Sequence, residues 1–283
     1  MLVTAKELLT DAMHNGYAVG AFNVENMEMV MAVLAAAENK NSPVIMQTTP
    51  GTIKYAGVDY YYANVKAAAE RSKIPVVMHL DHGDSFARAM QAYRAGYTSI
   101  MIDGSKLPLE ANIALTKSVV DACHPAGVFV EGELGKVGGK EDDLENGEDN
   151  PYTDPDEAKQ FVEATGVDYL AIGVGTAHGV YKGIPHVNTD LIAAIRDLVQ
   201  LPLVLHGTSG VPDEQVLTAV KNGICKVNYA TDLRIAFTKG VKAYMVAHPD
   251  AFDPKKYATQ GMDEVRKYVE QKIDVCGSAN KAR

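Results

Sequence analysis

The most constraining feature of this chain is a regular alternation of two kinds of segment, repeated eight times. Short apolar runs have the length of buried strands, and each is followed by a longer stretch with amphipathic, helical spacing. Strands that alternate with helices pair in parallel, and eight such units in about 250 residues favour a (β/α)8 barrel. A doubly wound open sheet remains an alternative, because eight units do not prove closure. The apolar runs are 18–22, 43–47, 75–80, 98–102, 127–132, 168–173, 202–206 and 224–228, and the amphipathic stretches are 26–39, 59–72, 85–95, 109–122, 155–165, 189–199, 212–221 and 231–247.

Two segments fall outside this alternation. The C-terminal stretch 254–283 is amphipathic and is expected either to close the barrel or to pack on a neighbouring subunit. The longest irregular segment, 134–152, is rich in glycine and acidic residues, and Gly138 and Gly139 beside Glu141 fit a mobile lid. No linker interrupts the chain, so we expect residues 1–283 to form one domain. The predicted fold is α/β, a (β/α)8 TIM barrel with an additional C-terminal helical segment.

Composition excludes several classes of protein. The net charge of −9, the absence of tryptophan and the lack of a basic cluster argue against a nucleic-acid partner. No run of 18 apolar residues predicts a membrane span, and the first residues lack the apolar stretch of a signal peptide. The cysteines Cys123, Cys225 and Cys276 are widely spaced and form no disulfide framework, which predicts a reducing cytoplasm.

Three histidines stand where predicted strands give way to loops: His82 in VVMHLDH, His178 in AIGVGTAHG and His206 in PLVLHG. The carboxyl ends of the strands carry the active site of a (β/α)8 barrel, so these side chains are expected to converge. Three imidazoles form a catalytic zinc site that keeps one coordination position open. Any one of them alone also fits a hydrogen-bonded loop histidine, and only their shared position favours a metal.

Polar side chains capable of binding a ligand occupy all eight predicted strand ends. Glu131 and Glu133 share strand parity and should both face the barrel interior or its mouth, where a buried carboxylate needs a partner such as a metal. Asp103 either contributes to this site or caps the next helix. His79 lies within a strand run and is expected in the core or behind the ligands. The strand-end residues are Asn23, Gln47, Thr48, Thr49, Asp81, His82, Asp103, Glu131, Glu133, His178, His206 and Asn228.

The loops after the last two strands predict a phosphate site. The segments GTSG at 207–210 and NYATD at 228–232 each lead into a helical stretch. In this fold such loops commonly cradle phosphate, because glycine lets backbone N–H groups approach and the helix N-terminus favours negative charge. A local anion site would let an acidic chain bind an anionic substrate. Ordinary loops with helix caps are the alternative interpretation.

These residues resemble the class II, metal-dependent ketose-bisphosphate aldolases. The resemblance covers nearly the whole chain in order, and TPGT, GTAHG and NYATDL are closer to the tagatose-bisphosphate branch than to typical fructose enzymes. The motifs are AFNVEN at 21–26, TPGT at 49–52, HLDHG at 79–83, MIDGS at 101–105, VEGELGKVGGKEDD at 130–143, GTAHGVYKG at 175–183, LHGTSG at 205–210, KVNYATDL at 226–233 and GSANKA at 277–282.

The resemblance implies a role for each matching position. His82, His178 and His206 would bind the catalytic zinc ion, while Asp103 and Glu133 would offer an alternative or second metal position. Asp81 would be the acid/base for the aldehyde or C4-hydroxyl proton, and Glu141 would move the proton at the enediolate carbon. Members of the family often bind a monovalent cation, Na⁺ or K⁺, near the phosphate. The positions implied in binding phosphate or substrate oxygens are Asn23, Thr49, Gly179, Gly207, Thr208, Ser209, Asn228, Tyr229, Ala230 and Thr231.

The chain departs from related short-chain fructose enzymes in its C-terminal region. Those enzymes often carry DPR and GR, where this chain has DPK at 253–255 and GM at 261–262. A guanidinium fork suits phosphate better than an ammonium group does, so the loss of these arginines leaves open which residue binds the second phosphate. The candidates are Lys255, Lys256 and Arg266. The segment HGTSG replaces the commoner HGASG or HGGSG and leaves the stereochemistry of the sugar open.

The resemblance implies reversible cleavage of a ketohexose 1,6-bisphosphate, tagatose or fructose, to dihydroxyacetone phosphate and glyceraldehyde 3-phosphate by a homodimer or homotetramer. One alternative is a related aldolase for a deoxyketogluconate phosphate or a sulfonated sugar phosphate. Another is a Schiff-base aldolase using Lys226, although a strand lysine more often points outward to the helix layer. A third is a non-catalytic subunit of such an enzyme. A metal-dependent hydrolase is disfavoured, because the first strand lacks an HxH pair.

Overall fold

The computed structural model describes residues 1–135, 138–141, 144–146, 152–179, 181 and 183–282, and for 138–141 and 144–146 it describes the backbone alone. Strands alternate with helices along most of this chain. The strands are β1 (Val19–Asn23), β2 (Val44–Thr48), β3 (Val76–Gly83), β4 (Ser99–Ile102), β5 (Phe129–Leu134), β6 (Gly138–Glu141), β7 (Leu144–Asn146), β8 (Tyr169–Ile172), β9 (Ala177–His178), β10 (Leu203–Leu205) and β11 (Ile224–Tyr229).

Eight of these strands close into a barrel in the order β1-β11-β10-β8-β5-β4-β3-β2, with all neighbours parallel. Closure confirms the predicted (β/α)8 barrel and excludes the open sheet. Because every barrel strand runs in the same direction, the carboxyl ends of all eight meet at one rim. We call the space inside this rim the mouth of the barrel.

Helices surround the barrel, and the C-terminal one follows the last strand–helix unit. This helix, α11 (Pro254–Cys276), packs against α2 (Met27–Lys40) and α10 (Thr231–Ala247) in the outer layer, so it covers the closed barrel and does not complete it. None of the helices within the described residues is long and apolar enough to cross a membrane. The helices are α1 (Ala5–Asn15), α2 (Met27–Lys40), α3 (Pro50–Ala56), α4 (Val58–Glu70), α5 (Phe86–Ala95), α6 (Leu109–Cys123), α7 (Pro155–Thr165), α8 (Thr189–Val199), α9 (Asp213–Asn222), α10 (Thr231–Ala247) and α11 (Pro254–Cys276).

Helix α1, which the alternation did not predict, packs against the inward-facing apolar side chains of the barrel. Leu9 on this helix is fully buried in one cluster with Val19, Val77 and Val204 from three barrel strands. Short strands leave such side chains open to water at the amino end of a barrel, and a covering helix removes that apolar area from solvent. The site therefore lies at the opposite end from α1.

Two further segments differ from the sequence-based expectation. The additional helix α3 precedes α4, and it begins with Pro50 after Thr49, whose hydroxyl accepts a hydrogen bond from the backbone N–H of Thr52 at 3.3 Å. The segment 134–152, expected to be irregular, contains the short strands β6 and β7. Strand β6 pairs in parallel with β9, which carries His178, so this segment is joined to the rim of the barrel.

Candidate active site

The side chains of Asp81 and His82 both face the mouth, although the two residues are consecutive in β3. In a regular strand they would point to opposite faces of the sheet. His82 has a φ of +47°, in the left-handed region, and the pairing of β3 with β4 shifts register between Leu80 and Gly83. This irregularity turns His82 toward the same space as Asp81, and strained backbone of this kind is often found at functional sites.

The structure brings the three predicted histidines together. His82, His178 and His206 each offer a ring nitrogen, and those nitrogen atoms lie within 4.8 Å of one another. The ring centroid of His82 is 5.0 Å from that of His178 and 4.6 Å from that of His206. His82 and His206 are buried, while His178 is half-buried on the open side. Imidazoles gathered in this way suit a metal ion such as zinc.

Two carboxylates fix the orientation of two of the three histidine rings. Nδ1 of His82 lies 2.8 Å from Oδ2 of Asp103, and Nε2 of His206 lies 2.8 Å from Oε1 of Glu131. Burial raises the pKa of Asp103, but the hydrogen bond from His82 and the neighbouring charge outweigh it and hold that pKa below its usual range. Burial also raises the pKa of Glu131, and the Lys226 ammonium and the His206 hydrogen bond likewise outweigh it. Both carboxyl groups are therefore ionised.

An ionised carboxylate only accepts hydrogen bonds, so Nδ1 of His82 and Nε2 of His206 carry the ring protons. Burial lowers the pKa of His206, which keeps this ring neutral. Nε2 of His82 and Nδ1 of His206, the ring nitrogens turned away from these carboxylates, lie 2.9 Å apart. A metal ion bound there would take a lone pair from each of them, and the donor set therefore fits a metal.

A second group that could hold a metal consists of His82, Asp103 and Glu133. Oε2 of Glu133 lies 3.5 Å from Nδ1 of His82, and within the described residues this buried oxygen has no hydrogen-bond partner. Burial and then the charge of Asp103 raise the pKa of Glu133 well above its usual range. Asp103 also accepts hydrogen bonds from the backbone N–H and hydroxyl of Ser105, at 3.0 and 2.7 Å. These bonds lie in the turn before α6, whose N-cap is Pro108 with no side-chain cap, so the alternative that Asp103 caps the next helix is wrong.

Asp81 is held between two side-chain amides from neighbouring strand ends. Nδ2 of Asn23 donates to Oδ2 of Asp81 at 2.8 Å, and Nδ2 of Asn228 donates to Oδ1 at 3.0 Å. Nε2 of Gln47 donates to Oδ1 of Asn23 at 2.8 Å and so fixes which way that amide points. The sequence placed Gln47 at a strand end without assigning it this part. All four side chains are buried, so the carboxylate has a defined orientation next to the histidine group.

The predicted phosphate loops line a pocket beside the histidine group. Gly207 has a φ of +63°, and a Cβ there would lie 2.7 Å from the carbonyl carbon of Ala177, so glycine is needed at this position. Helix α10 begins at Thr231, and its preceding residue, Ala230, gives it no side-chain cap. In the first turn the N–H of Asp232 donates to Oγ of Ser209 at 3.3 Å and that of Leu233 to the carbonyl of Ala230 at 3.1 Å, so the helix N-terminus favours an anion mainly through its dipole. The pocket is lined by His178, Gly179, Gly207, Thr208, Ser209, Asn228, Ala230 and Thr231.

Two residues predicted to bind substrate, Tyr229 and Thr49, have other contacts, and one predicted catalytic residue is not described in full. The Tyr229 ring stacks on Phe22 with ring centroids 5.5 Å apart. It lies on the opposite face of β11 from Asn228. The Thr49 hydroxyl caps α3. Glu141 ends β6, and its side chain lies outside the described residues.

The basic residues suggested for a second phosphate have local partners on or near α11. Nζ of Lys255 lies 2.9 Å from Oδ1 of Asp253, and Nη2 of Arg266 lies 3.2 Å from Oδ1 of Asp263. Both contacts join neighbours in the sequence. They do not show that either cation lies in the mouth or binds a ligand. The sequence-based suggestion for Lys255, Lys256 or Arg266 thus remains a prediction.

The expectation that Lys226 points outward to the helix layer is wrong. Its ammonium group is fully buried inside the barrel and donates to Oε2 of Glu131 at 2.8 Å. Strand side chains alternate between faces, and Asn228, two residues further along β11, faces Asp81 in the mouth. The same parity places Lys226 inside the barrel. Lys226 and Asn228 are two residues apart, so the sequence itself carries the signal for this inward position.

A closed parallel barrel whose mouth combines converging histidines, an oriented carboxylate and an anion pocket has the fold and site layout of a (β/α)8 enzyme. The family profile described as class II fructose-bisphosphate aldolase matches residues 3–281, and the chain belongs to that family of carbon–carbon lyases. The YdjI aldolase from Escherichia coli K12 is 37% identical, with a TM-score of 0.89 and coverage of 100% of both chains. The fructose-bisphosphate aldolase of Campylobacter jejuni is 26% identical, with a TM-score of 0.84 and coverage of 99% of this chain and 97% of that one.

Proposed function

We propose that this protein catalyses the zinc-dependent, reversible cleavage of a ketohexose 1,6-bisphosphate, tagatose or fructose 1,6-bisphosphate, into dihydroxyacetone phosphate and glyceraldehyde 3-phosphate. The observation that carries the proposal is the position of Asp81. Its carboxylate lies beside His82 of the histidine group and is shared by Asn23 and Asn228. Aldol cleavage needs such an acid/base group next to a site that polarises a carbonyl.

His82, His178 and His206 would hold the zinc ion, with Asp103 and Glu133 available as a second position. When bound there, zinc supplies Lewis-acid polarisation of a carbonyl oxygen. The Asp81 carboxylate takes the proton of the C4 hydroxyl as the C3–C4 bond breaks, and this leaves the aldehyde fragment. A protonated Glu141 then returns a proton to C3 of the remaining enediolate, which yields dihydroxyacetone phosphate.

The pocket formed by Gly179, Gly207–Ser209 and Thr231 would hold the phosphate of the dihydroxyacetone part. Its glycine backbone and the N-terminus of α10 favour a doubly charged anion in a chain whose net charge is −9. A Na⁺ or K⁺ ion close to this phosphate is part of the proposal. A cation there would offset charge repulsion between the phosphate and the surrounding acidic protein.

The test compares kcat/KM for tagatose and fructose 1,6-bisphosphates before and after treatment with EDTA, followed by readdition of zinc. We expect cleavage of one epimer to be favoured, to be lost with the metal and to return with it. Efficient turnover of only a deoxyketogluconate phosphate or a sulfonated sugar phosphate would replace the proposed substrate. An isolated chain without turnover on any of these would be a non-catalytic subunit.

A Schiff-base mechanism is the second chemical possibility, and the position of Lys226 argues against it. The amine is fully buried and ion-paired with Glu131 behind His206, so a substrate carbonyl has no path to it. Borohydride treatment in the presence of dihydroxyacetone phosphate should therefore leave the mass of the protein unchanged. A stable adduct on Lys226 would overturn the metal-dependent mechanism.

We also propose that the protein is a cytoplasmic homodimer or homotetramer. The three cysteines are buried thiols that form no disulfide, as expected in a reducing compartment. Sedimentation velocity on the purified chain tests the assembly, and a monomer at micromolar concentration would contradict it.

A further inference from the structure

A layer of buried polar side chains lies behind the histidine group, on the interior-facing positions of the barrel strands. Lys226 of β11 and Glu131 of β5 form an ion pair with 2.8 Å between Nζ and Oε2. His79 of β3 adds its Nε2 at 3.4 Å from the same ammonium group. All three side chains have an exposed fraction of 0%. None of them lines the anion pocket or contacts Asp81.

Such a layer does not stabilise the fold in an obvious way. Desolvation of two buried charges opposes the gain from their attraction, and well-packed apolar residues are often as stable or more stable. The adjacent interior of this barrel is apolar, with Val19, Val77 and Val204 in one cluster. The ion pair therefore interrupts an apolar interior at the level where Glu131 contacts His206. This contrast points to a role in the site.

The contacts of Glu131 show how that role would work. Its two oxygens have different partners, with Oε2 on Nζ of Lys226 and Oε1 on Nε2 of His206, both at 2.8 Å. Rotation of the carboxylate away from His206 would break the ion pair as well. A carboxylate behind a ligand histidine fixes both its tautomer and its orientation.

His79 restrains the ammonium group from another side. Burial and then the charge of Lys226 lower the pKa of His79 well below its usual range, so this ring is neutral. Its Nδ1 lies 2.6 Å from the hydroxyl of Ser99, and the Ser99 hydroxyl in turn contacts that of Tyr169. When Nδ1–H donates to Ser99, Nε2 is left to accept from Lys226. The ammonium group is thus held by Glu131 of β5 and by His79 of β3, whose own ring is fixed by Ser99 of β4.

We propose that Lys226 is a positioning residue, which holds Glu131 against Nε2–H of His206 and so keeps Nδ1 of His206 directed toward His82 as a metal ligand. This inference rests on the proposed metal-dependent function. It assigns no contact with substrate to Lys226, and it explains why a fully buried lysine lies in the barrel of an enzyme that does not use it as a nucleophile.

The test measures zinc affinity of the apoprotein by competition with a chromogenic chelator. The variants are Lys226→Met, Glu131→Gln and the double variant, with Lys226→Gln as a second substitution in case the methionine variant does not fold. Loss of a group behind a ligand typically lowers metal affinity by about 10–100-fold. We expect each single variant to fall in this range and the double variant to be no weaker than the weaker single one, because both substitutions break one chain of contacts.

Lys272→Met is the matched control. Lys272 is also a buried lysine in an ion pair, with 2.5 Å between its Nζ and Oδ1 of Asp213, but this pair joins α11 to α9 in the outer layer. Its loss should lower the melting temperature without changing zinc affinity. If Lys272→Met weakens zinc binding as much as Lys226→Met does, the effect is general destabilisation and the proposal is overturned.

A second measurement does not need zinc or substrate. The ¹⁵N shifts of His206 in the apoprotein should show a single tautomer protonated at Nε2 in the wild type, and a mixture in the Lys226 variants. Wild-type affinity together with an unchanged tautomer in those variants would overturn the positioning role. A wild-type protein that binds no zinc would instead count against the proposed function, while the tautomer measurement would still decide the role of Lys226.

Discussion

Nε2 of His82 lies 2.9 Å from Nδ1 of His206, and each ring is held from behind by its own carboxylate, Asp103 or Glu131. The carboxylates contact the far nitrogen of each ring, so the two nitrogens that face each other are the ones available to the proposed metal. Preorganised ligands of this kind lose little conformational freedom when a metal binds. The geometry therefore supports the proposal that two histidines from distant parts of the chain bind one metal ion.

Replacing His206 by alanine should remove metal and activity together. The variant loses one of three imidazole ligands and leaves Oε1 of Glu131 without its donor. Zinc content by atomic emission and aldol cleavage are the two measurements. His14→Ala is the control, because His14 is exposed on α1 away from the mouth and should leave both unchanged. A fully active, fully metallated His206→Ala protein would refute the assigned ligand set.

Replacing Asp81 by alanine should preserve the metal but slow cleavage of the bisphosphate by about 10²–10⁴-fold, as expected for a lost acid/base group. Exchange of the C3 proton of dihydroxyacetone phosphate should survive better, because that half-reaction does not involve the aldehyde oxygen. Asp84→Ala provides the comparison, since Asp84 is exposed three residues further on. Equal losses of cleavage and exchange in Asp81→Ala, with metal retained, would show that its role is assigned wrongly.

Replacing Glu141 by alanine should abolish exchange of that same C3 proton, because the proposed donor and acceptor for the carbon is removed. Zinc content should stay the same, since the three histidines belong to other segments. The neighbouring Asp143→Ala is the control for the charge of the segment and should exchange normally. Normal proton exchange in Glu141→Ala would exclude this residue as the base.

Replacing Gly207 by alanine should weaken phosphate binding, which the strain of an alanine at positive φ does not by itself explain. Gly207 and Gly16 have nearly equal φ values of +63° and +65°, but a Cβ at Gly16 has no atom within 4 Å, while at Gly207 it lies 2.7 Å from Ala177. Gly16→Ala should therefore lose about 1–2 kcal/mol of unfolding free energy with unchanged kinetics. Gly207→Ala should lose more and bind inorganic phosphate less tightly by calorimetry. Identical phosphate affinity in the two variants would argue against the pocket.

The alternation of segments was sufficient to predict the barrel, because a buried parallel strand and an amphipathic helix each have a local signature. The expected strand runs coincide with the eight barrel strands to within a few residues. Helix α1 was missed because its reason for being there is not local: it covers apolar side chains such as Val19 and Val77, which only closure brings together. The pairing of β6 with β9 was missed for the same reason.

The site could be predicted as a set of residues but not as a geometry. Position at strand ends identified His82, His178 and His206, since the carboxyl ends of parallel strands meet at one rim. The left-handed backbone at His82, which lets consecutive residues share the mouth, has no signature in the residue types. The same holds for the amides of Asn23 and Asn228 on Asp81, which depend on side-chain directions across the barrel.

By itself, the sequence determined the fold class, the family and the residues available to a metal and an anion, because periodicity and the order of motifs are properties of the chain. Only the tertiary structure decided which nitrogens of His82 and His206 face each other, and that Lys226 lies inside the barrel with Glu131. Those outcomes depend on contacts between residues far apart in the chain, such as the 95 positions that separate Glu131 from Lys226. Strand closure creates these contacts, and local pattern does not encode them.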